Sequence, residues 1–112
     1  GHIILIADKD AFVSVSGASK KDYIERKISN ELEGIMDGRK ATLIVEEGKT
    51  IPLHNDEDVG EYSNQVIAPI IAEGDAIGAV MILSKTPGEK FSEIELKLAE
   101  TAAAFLGKQM EQ

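Results

Sequence analysis

The sequence predicts an α+β domain in which an antiparallel sheet is flanked by helices. Three observations predict it. Residues 66–72 and 76–83 are short, nearly unbroken apolar runs folded back on each other at Glu73-Gly74-Asp75, as expected of two central strands covered on both faces. Two other segments carry the apolar spacing of helices. The elements follow one another as strand, strand, helix, strand, a possible short strand, strand, strand, helix, with tight turns between successive strands, which is an antiparallel arrangement with helices packed on it.

Residues 3–7 form the first apolar strand, Asp8-Lys9-Asp10 a turn, and residues 11–16 a second strand in which Phe12, Ser14 and Ser16 alternate against Ala11, Val13 and Val15. Gly17-Ala18 breaks this hairpin. Ser19-Lys20-Lys21-Asp22 has the spacing of a capping box, so a helix is predicted to start there. Ile24, Ile28, Leu32 and Ile35 recur along one stripe, and the helix should lie one face down on a sheet and end near Asp37-Gly38.

Residues 41–45 read as a third strand, residues 50–53 as a brief edge strand, and residues 54–60 as a polar, acidic loop. In the central hairpin, Pro69 has no N–H to give a ladder and belongs at a bulge or facing away from a neighbour, while Gly78 admits a close backbone approach. Ser92 is the N-cap of the last helix, residues 93 to about 110, with Glu93 and Glu95 favouring the positive end of its dipole.

That helix has two apolar faces at about 100° per residue. Ile94, Leu98, Ala102 and Phe105 share one, and Leu96, Ala99, Ala103, Leu106 and Met110 cluster on the other. One sheet needs one stripe, so the second face is expected to meet another helix. The small residues mark Leu96, Ala99, Ala103, Leu106 and Met110 as the candidate oligomer interface; coverage by the chain's own N-terminal segment is the other option.

At 112 residues the chain is one domain, residues 1–112, large enough to fold without staples. It has no cysteine, which excludes thiol catalysis, thiolate metal sites and disulfides and fits a reducing, cytoplasmic setting. No apolar run approaches the roughly 20 residues of a membrane span, and no basic region precedes a hydrophobic segment at the start. A formal net charge of -8 argues against DNA binding by this segment itself.

No catalytic constellation emerges. His2 stands at the end of the chain, and His54 lies beside Asn55, Asp56, Glu57 and Asp58 without the spacing of a calcium loop, so this stretch reads as a solvated acidic loop and no metal or cofactor is expected. No serine sits in a nucleophile elbow, and no glycine-rich stretch is followed by Lys-Ser or Lys-Thr. The chain is therefore read as a non-enzyme. Phe12, Ser14, Ser16, Tyr62 and Asn64 combine apolar and hydrogen-bonding groups at strand ends and form the candidate ligand pocket, closed by residues 46–61; the alternative is that they bond only to water or backbone.

Val66-x-x-Pro69-Ile70-x-x-x-Gly74-x-x-Ile77-Gly78-x-Val80, followed by residues 95–106, resembles the core hairpin and last helix of a GAF domain. Asp8-Lys9-Asp10, residues 15–23, residues 74–80 and residues 108–112 further resemble the C-terminal domains of the stage V sporulation protein T family. The resemblance implies a GAF-like regulatory domain, the C-terminal part of a longer transcription factor of endospore-forming bacteria. Such a factor is expected in the cytoplasm of the forespore as activator and repressor, contacting DNA only through an AbrB-like N-terminal domain absent here. It also implies a homo-oligomer, a tetramer with helices flanking the GAF domains in bundles, and allows a small-molecule effector. No catalytic residue and no ligand identity carry over. A ligand-free scaffold that only oligomerises the regulator is the alternative.

Overall fold

In the structure, a computed structural model that describes residues 2–111, β1 (Ile3–Asp8) turns at an Asp8 side chain that accepts from the Asp10 and Ala11 amides at 2.7 and 2.9 Å. β2 (Phe12–Ser16) follows. The remaining strands are β3 (Thr42–Ile44), β4 (Asn64–Ala72) and β5 (Asp75–Ser84), and all pair antiparallel in the order β2-β1-β5-β4-β3. The predicted hairpin thus lies inside the sheet, with β5 at its centre. β1 runs directly beside Gly78, where an added Cβ would lie 2.2 Å from the Ala7 carbonyl oxygen, so only glycine fits this approach. Pro69 lies beyond the pairing of β3, which ends at Ile67, and next to a register shift between Ile70 and Ile71.

Side chains alternate between two cores. Leu5, Ala7, Ile67, Met81 and Leu83 point to one face, where they meet α1 (Asn30–Asp37), Tyr23, Leu53 and Tyr62. Val66, Ala68, Ile70, Val80 and Ile82 point to the other and meet α2 (Glu93–Gln109). α2 begins with a complete capping box: the Ser92 side chain accepts from the Ile94 amide, and Glu95 takes the Ser92 N–H at 2.7 Å.

The first helix departs from expectation. Ser19 makes no side-chain cap, and the chain there forms only a 3-10 turn, Lys20–Asp22. Residues 24–28 are instead drawn onto the free edge of β2, the Phe12 amide donating to the Arg26 carbonyl, Glu25 to Phe12 and Ile28 to Asp10. Glu25 takes a left-handed φ of 68° to make that path. Tertiary hydrogen bonds here outweigh local helix propensity. The working cap is Ser29, whose Oγ accepts from the Leu32 amide at 3.1 Å and donates to the Pro52 carbonyl at 2.7 Å.

Residues 50–53 are also not a strand. The buried side-chain amide of Gln65 does what a neighbouring strand would do, accepting from the Ile51 N–H at 2.9 Å and donating to the Ile51 carbonyl at 2.7 Å. Thr50 donates to the Tyr62 carbonyl at 2.8 Å. These bonds moor the segment that roofs the first core.

Candidate functional site

The five residues expected to line a pocket do not share one. β1 and β2 pair Ile6 with Ser14 but Ala7 with Phe12, so one residue is bulged out of the ladder. A one-residue slip reverses the face of every side chain beyond it. Phe12 therefore enters the core beneath Tyr23 and His54, whereas Ser14 and Ser16 stand exposed on the opposite face. Asn64 is buried but committed: Oδ1 accepts from the Phe91 amide and Nδ2 donates to the Glu89 carbonyl, both at 2.8 Å, holding the connection that leads into α2.

Tyr62 belongs to a polar network that the sequence did not reveal. Its hydroxyl makes a short hydrogen bond to Glu57 Oε2 and lies 2.8 Å from the Tyr23 hydroxyl. Since the carboxylate can only accept, Tyr62 donates to Glu57 and Tyr23 donates to Tyr62. Glu57 Oε1 accepts from the Leu53 amide at 2.7 Å, and its side chain is 4% exposed. The Asp56 amide donates to His54 Nδ1 at 3.2 Å, which puts the imidazole proton on Nε2, 3.6 Å from Glu57 Oε2. Burial, and then the bond to Glu57, push the Tyr62 phenol far above the ordinary tyrosine range; burial raises Tyr23 as well.

The reading of residues 54–60 as a wholly solvated loop is corrected here. His54 and the Glu57 side chain turn inward, while Asn55, Asp56 and Asp58 face water. The spacing of three residues between His54 and Glu57 was the only available sign. Over this network opens a crevice of about 220 Å³ bounded by Tyr23, Arg26, His54, Glu57 and Lys85, with Asp22, Asp56 and Glu61 among its acids. Arg26 pairs with Asp56 at 2.6 Å, and Lys85 pairs with Glu61 at 3.3 Å beside the Tyr62 ring. Beneath it, Leu5, Phe12, Leu32, Leu53 and Met81 fill the space over the sheet. The lining offers hydrogen-bond and charge complementarity to a small polar molecule.

A second feature lies on the opposite side of the fold. Of the residues expected to form the oligomer interface, Ala99 and Ala103 are buried on the sheet and Leu96 and Leu106 pack beside them; Met110 is exposed. The two faces of α2 are therefore exchanged relative to expectation. Gly107 explains the choice, because an added Cβ there would lie 2.2 Å from the Ile71 carbonyl oxygen, and only a stripe of glycine and alanine lets the helix settle so close to β4. Ile94, Leu98 and Phe105 are left 69%, 60% and 63% exposed, and together with Ala102 they line a shallow apolar groove.

Comparison with known proteins places this geometry. A family model for the stage V sporulation protein T C-terminal, transcription factor, matches residues 1–111. Stage V sporulation protein T of Bacillus subtilis (strain 168) is 47% identical over 114 residues, covering 100% of this chain and 61% of that protein. The chain thus spans about three fifths of that relative, 61% of its length. Among solved structures, residues 122 to 287 of a methyl-accepting chemotaxis protein superpose with a TM-score of 0.70 at 15% identity, over 95% of this chain and 75% of that one. The type II free methionine-R-sulfoxide reductase of Thermoplasma acidophilum gives 0.69 at 12% identity, over 95% and 76%. A GAF domain/HD domain protein of Geobacter sulfurreducens gives 0.65 at 15% identity, over 97% and 80%. At such identities the likeness is one of fold, and the fold is the GAF arrangement of antiparallel sheet and flanking helices.

Proposed function

The chain belongs to the stage V sporulation protein T C-terminal family of transcription factors, and we propose that it is the regulatory and assembly domain of a sporulation regulator, modulating DNA binding carried by a separate N-terminal domain. The observation that carries this reading is the exposed apolar face of α2, Ile94, Leu98, Ala102 and Phe105, on a chain whose formal net charge is -8. An acidic surface repels the DNA backbone, whereas an apolar stripe favours association. We assign that stripe to self-assembly of the regulator as a tetramer acting in the forespore cytoplasm as activator and repressor. The role is non-enzymatic.

Sedimentation of the full-length regulator tests the assembly role. Leu98→Glu and Phe105→Glu each place a charge on the exposed stripe and leave the sheet-facing side untouched, so the assembly should fall to smaller species with the fold intact. Unchanged sedimentation of both variants refutes it. Effector sensing is the companion proposal, supported by the crevice bounded by Tyr23, Arg26 and Glu57. An effector shifts the regulator between states only by its differential affinity for them. The filled space over the sheet favours the alternative, a ligand-free scaffold; a metabolite that raises the melting temperature and changes DNA affinity of the full-length protein decides for sensing.

A further inference from the structure

At the crevice one buried carboxylate is hydrogen-bonded without a cation in ion-pair reach, and one buried donor has no hydrogen-bond partner. Glu57 is a buried carboxylate whose neighbour within ion-pair distance, among the described residues, is the His54 ring at 3.6 Å, whose Nδ1 accepts from the Asp56 amide. A buried carboxylate without a cation is costly. Opposite in sign, the Nε of Arg26 is a buried donor with no hydrogen-bond partner, although the same guanidinium reaches Asp56 through Nη1. Both residues border the same crevice.

The surrounding groups do not supply the missing partners. Both phenolic protons are spent inward, Tyr23 on Tyr62 and Tyr62 on Glu57, which leaves acceptor lone pairs on Tyr23. Lys85 pairs with Glu61 and attracts Glu57 only from beyond ion-pair distance. A metal ion does not answer the geometry either, since among the described residues no group of three His, Cys, Asp or Glu is placed to hold one. What the crevice asks for is an ammonium against Glu57 and Tyr23 and a carboxylate against Arg26, within about 220 Å³.

We propose that this crevice binds a small zwitterion, a free amino acid or short aminocarboxylate, with its ammonium on Glu57 and Tyr23 and its carboxylate on Arg26. The inference rests on the reading of the crevice as the effector site. Amide NMR titration of the chain at neutral pH tests it with alanine and 4-aminobutyrate as zwitterions, and with ethylammonium and propionate as the two halves. At least one zwitterion should give saturable shifts around Tyr23, Arg26 and Glu57, with each half binding about tenfold or more weakly, a ratio expected when one charge-assisted bond is lost.

Glu57→Gln should weaken the zwitterion by about tenfold or more, provided its melting temperature shows that it folds. Arg26→Lys keeps the positive charge on a partly exposed side chain while removing Nε, and should also weaken it. Either half binding as tightly as the zwitterions overturns the inference and leaves the effector site standing. Absence of any saturable shift at the crevice overturns both, and unaltered affinity in Arg26→Lys overturns the assigned orientation.

Discussion

Replacing Gly107 with alanine tests how α2 is seated. The new Cβ would meet the Ile71 carbonyl oxygen at 2.2 Å and its carbon at 3.2 Å. Since a close carbon–oxygen contact is about 3.3 Å, helix and strand must separate locally by roughly 1 Å. The obstacle is backbone, which cannot rotate away as a flexible side chain would. Overpacking of this kind costs about 1–3 kcal/mol, while alanine returns about 1 kcal/mol of helix propensity. A rigid backbone contact places the cost in the upper part of that range, about 2–3 kcal/mol, so the net expectation is a loss of about 1–2 kcal/mol, or roughly 5–10 °C in melting temperature for a domain of this size. Gly34 in α1 is the matched control, because nothing lies within 4 Å of its added Cβ. There the same substitution should stabilise by about 0.5–1 kcal/mol. Urea denaturation of both variants reads the two signs. A Gly107→Ala protein as stable as the parent would refute the close seating of α2 on β4.

Gln65→Leu should cost about 2–4 kcal/mol in urea denaturation, because it orphans both the N–H and the carbonyl of Ile51; a loss no larger than that of an exposed substitution would show that the mooring is dispensable. The chain's two tyrosines give an alkaline signature. Both phenols titrate above the ordinary tyrosine value of about 10 when folded, so the stability they lend is complete below about pH 10 and declines as pH rises above it, by at most about 1.4 kcal/mol per pH unit for each. Ultraviolet titration should show phenolate appearing only together with alkaline unfolding, and smooth ionisation of the folded chain near the ordinary tyrosine value would contradict the buried network.

Central strands announced themselves because burial on both faces leaves a continuous apolar run bounded by turn residues, and residues 66–83 carried that signal. The first helix was over-read for a reason that lies outside the local pattern. Ile24 and Ile28 have helical spacing with Leu32, yet the backbone between them finds hydrogen bonds on β2, which no window of sequence displays. The bulge opposite Ile6 and Ala7 is invisible in the same way. It removed Ser14 and Ser16 from the expected pocket without altering the alternation that suggested them.

The exchanged faces of α2 have the same origin. Hydrophobicity alone favours seating the face with Ile94, Leu98 and Phe105, since it would bury the larger side chains. The sheet instead presents the β4 backbone at Ile71, opposite a register shift that leaves Ile77 of β5 unpaired, and bulky side chains there would hold the helix away and forfeit contact along its whole length. Alanine and glycine at 99, 103 and 107 gain close backbone packing, and the large residues are left outward. A small-residue stripe therefore marked where this helix approaches its own strand, and the bulky stripe opposite is left as exposed apolar surface.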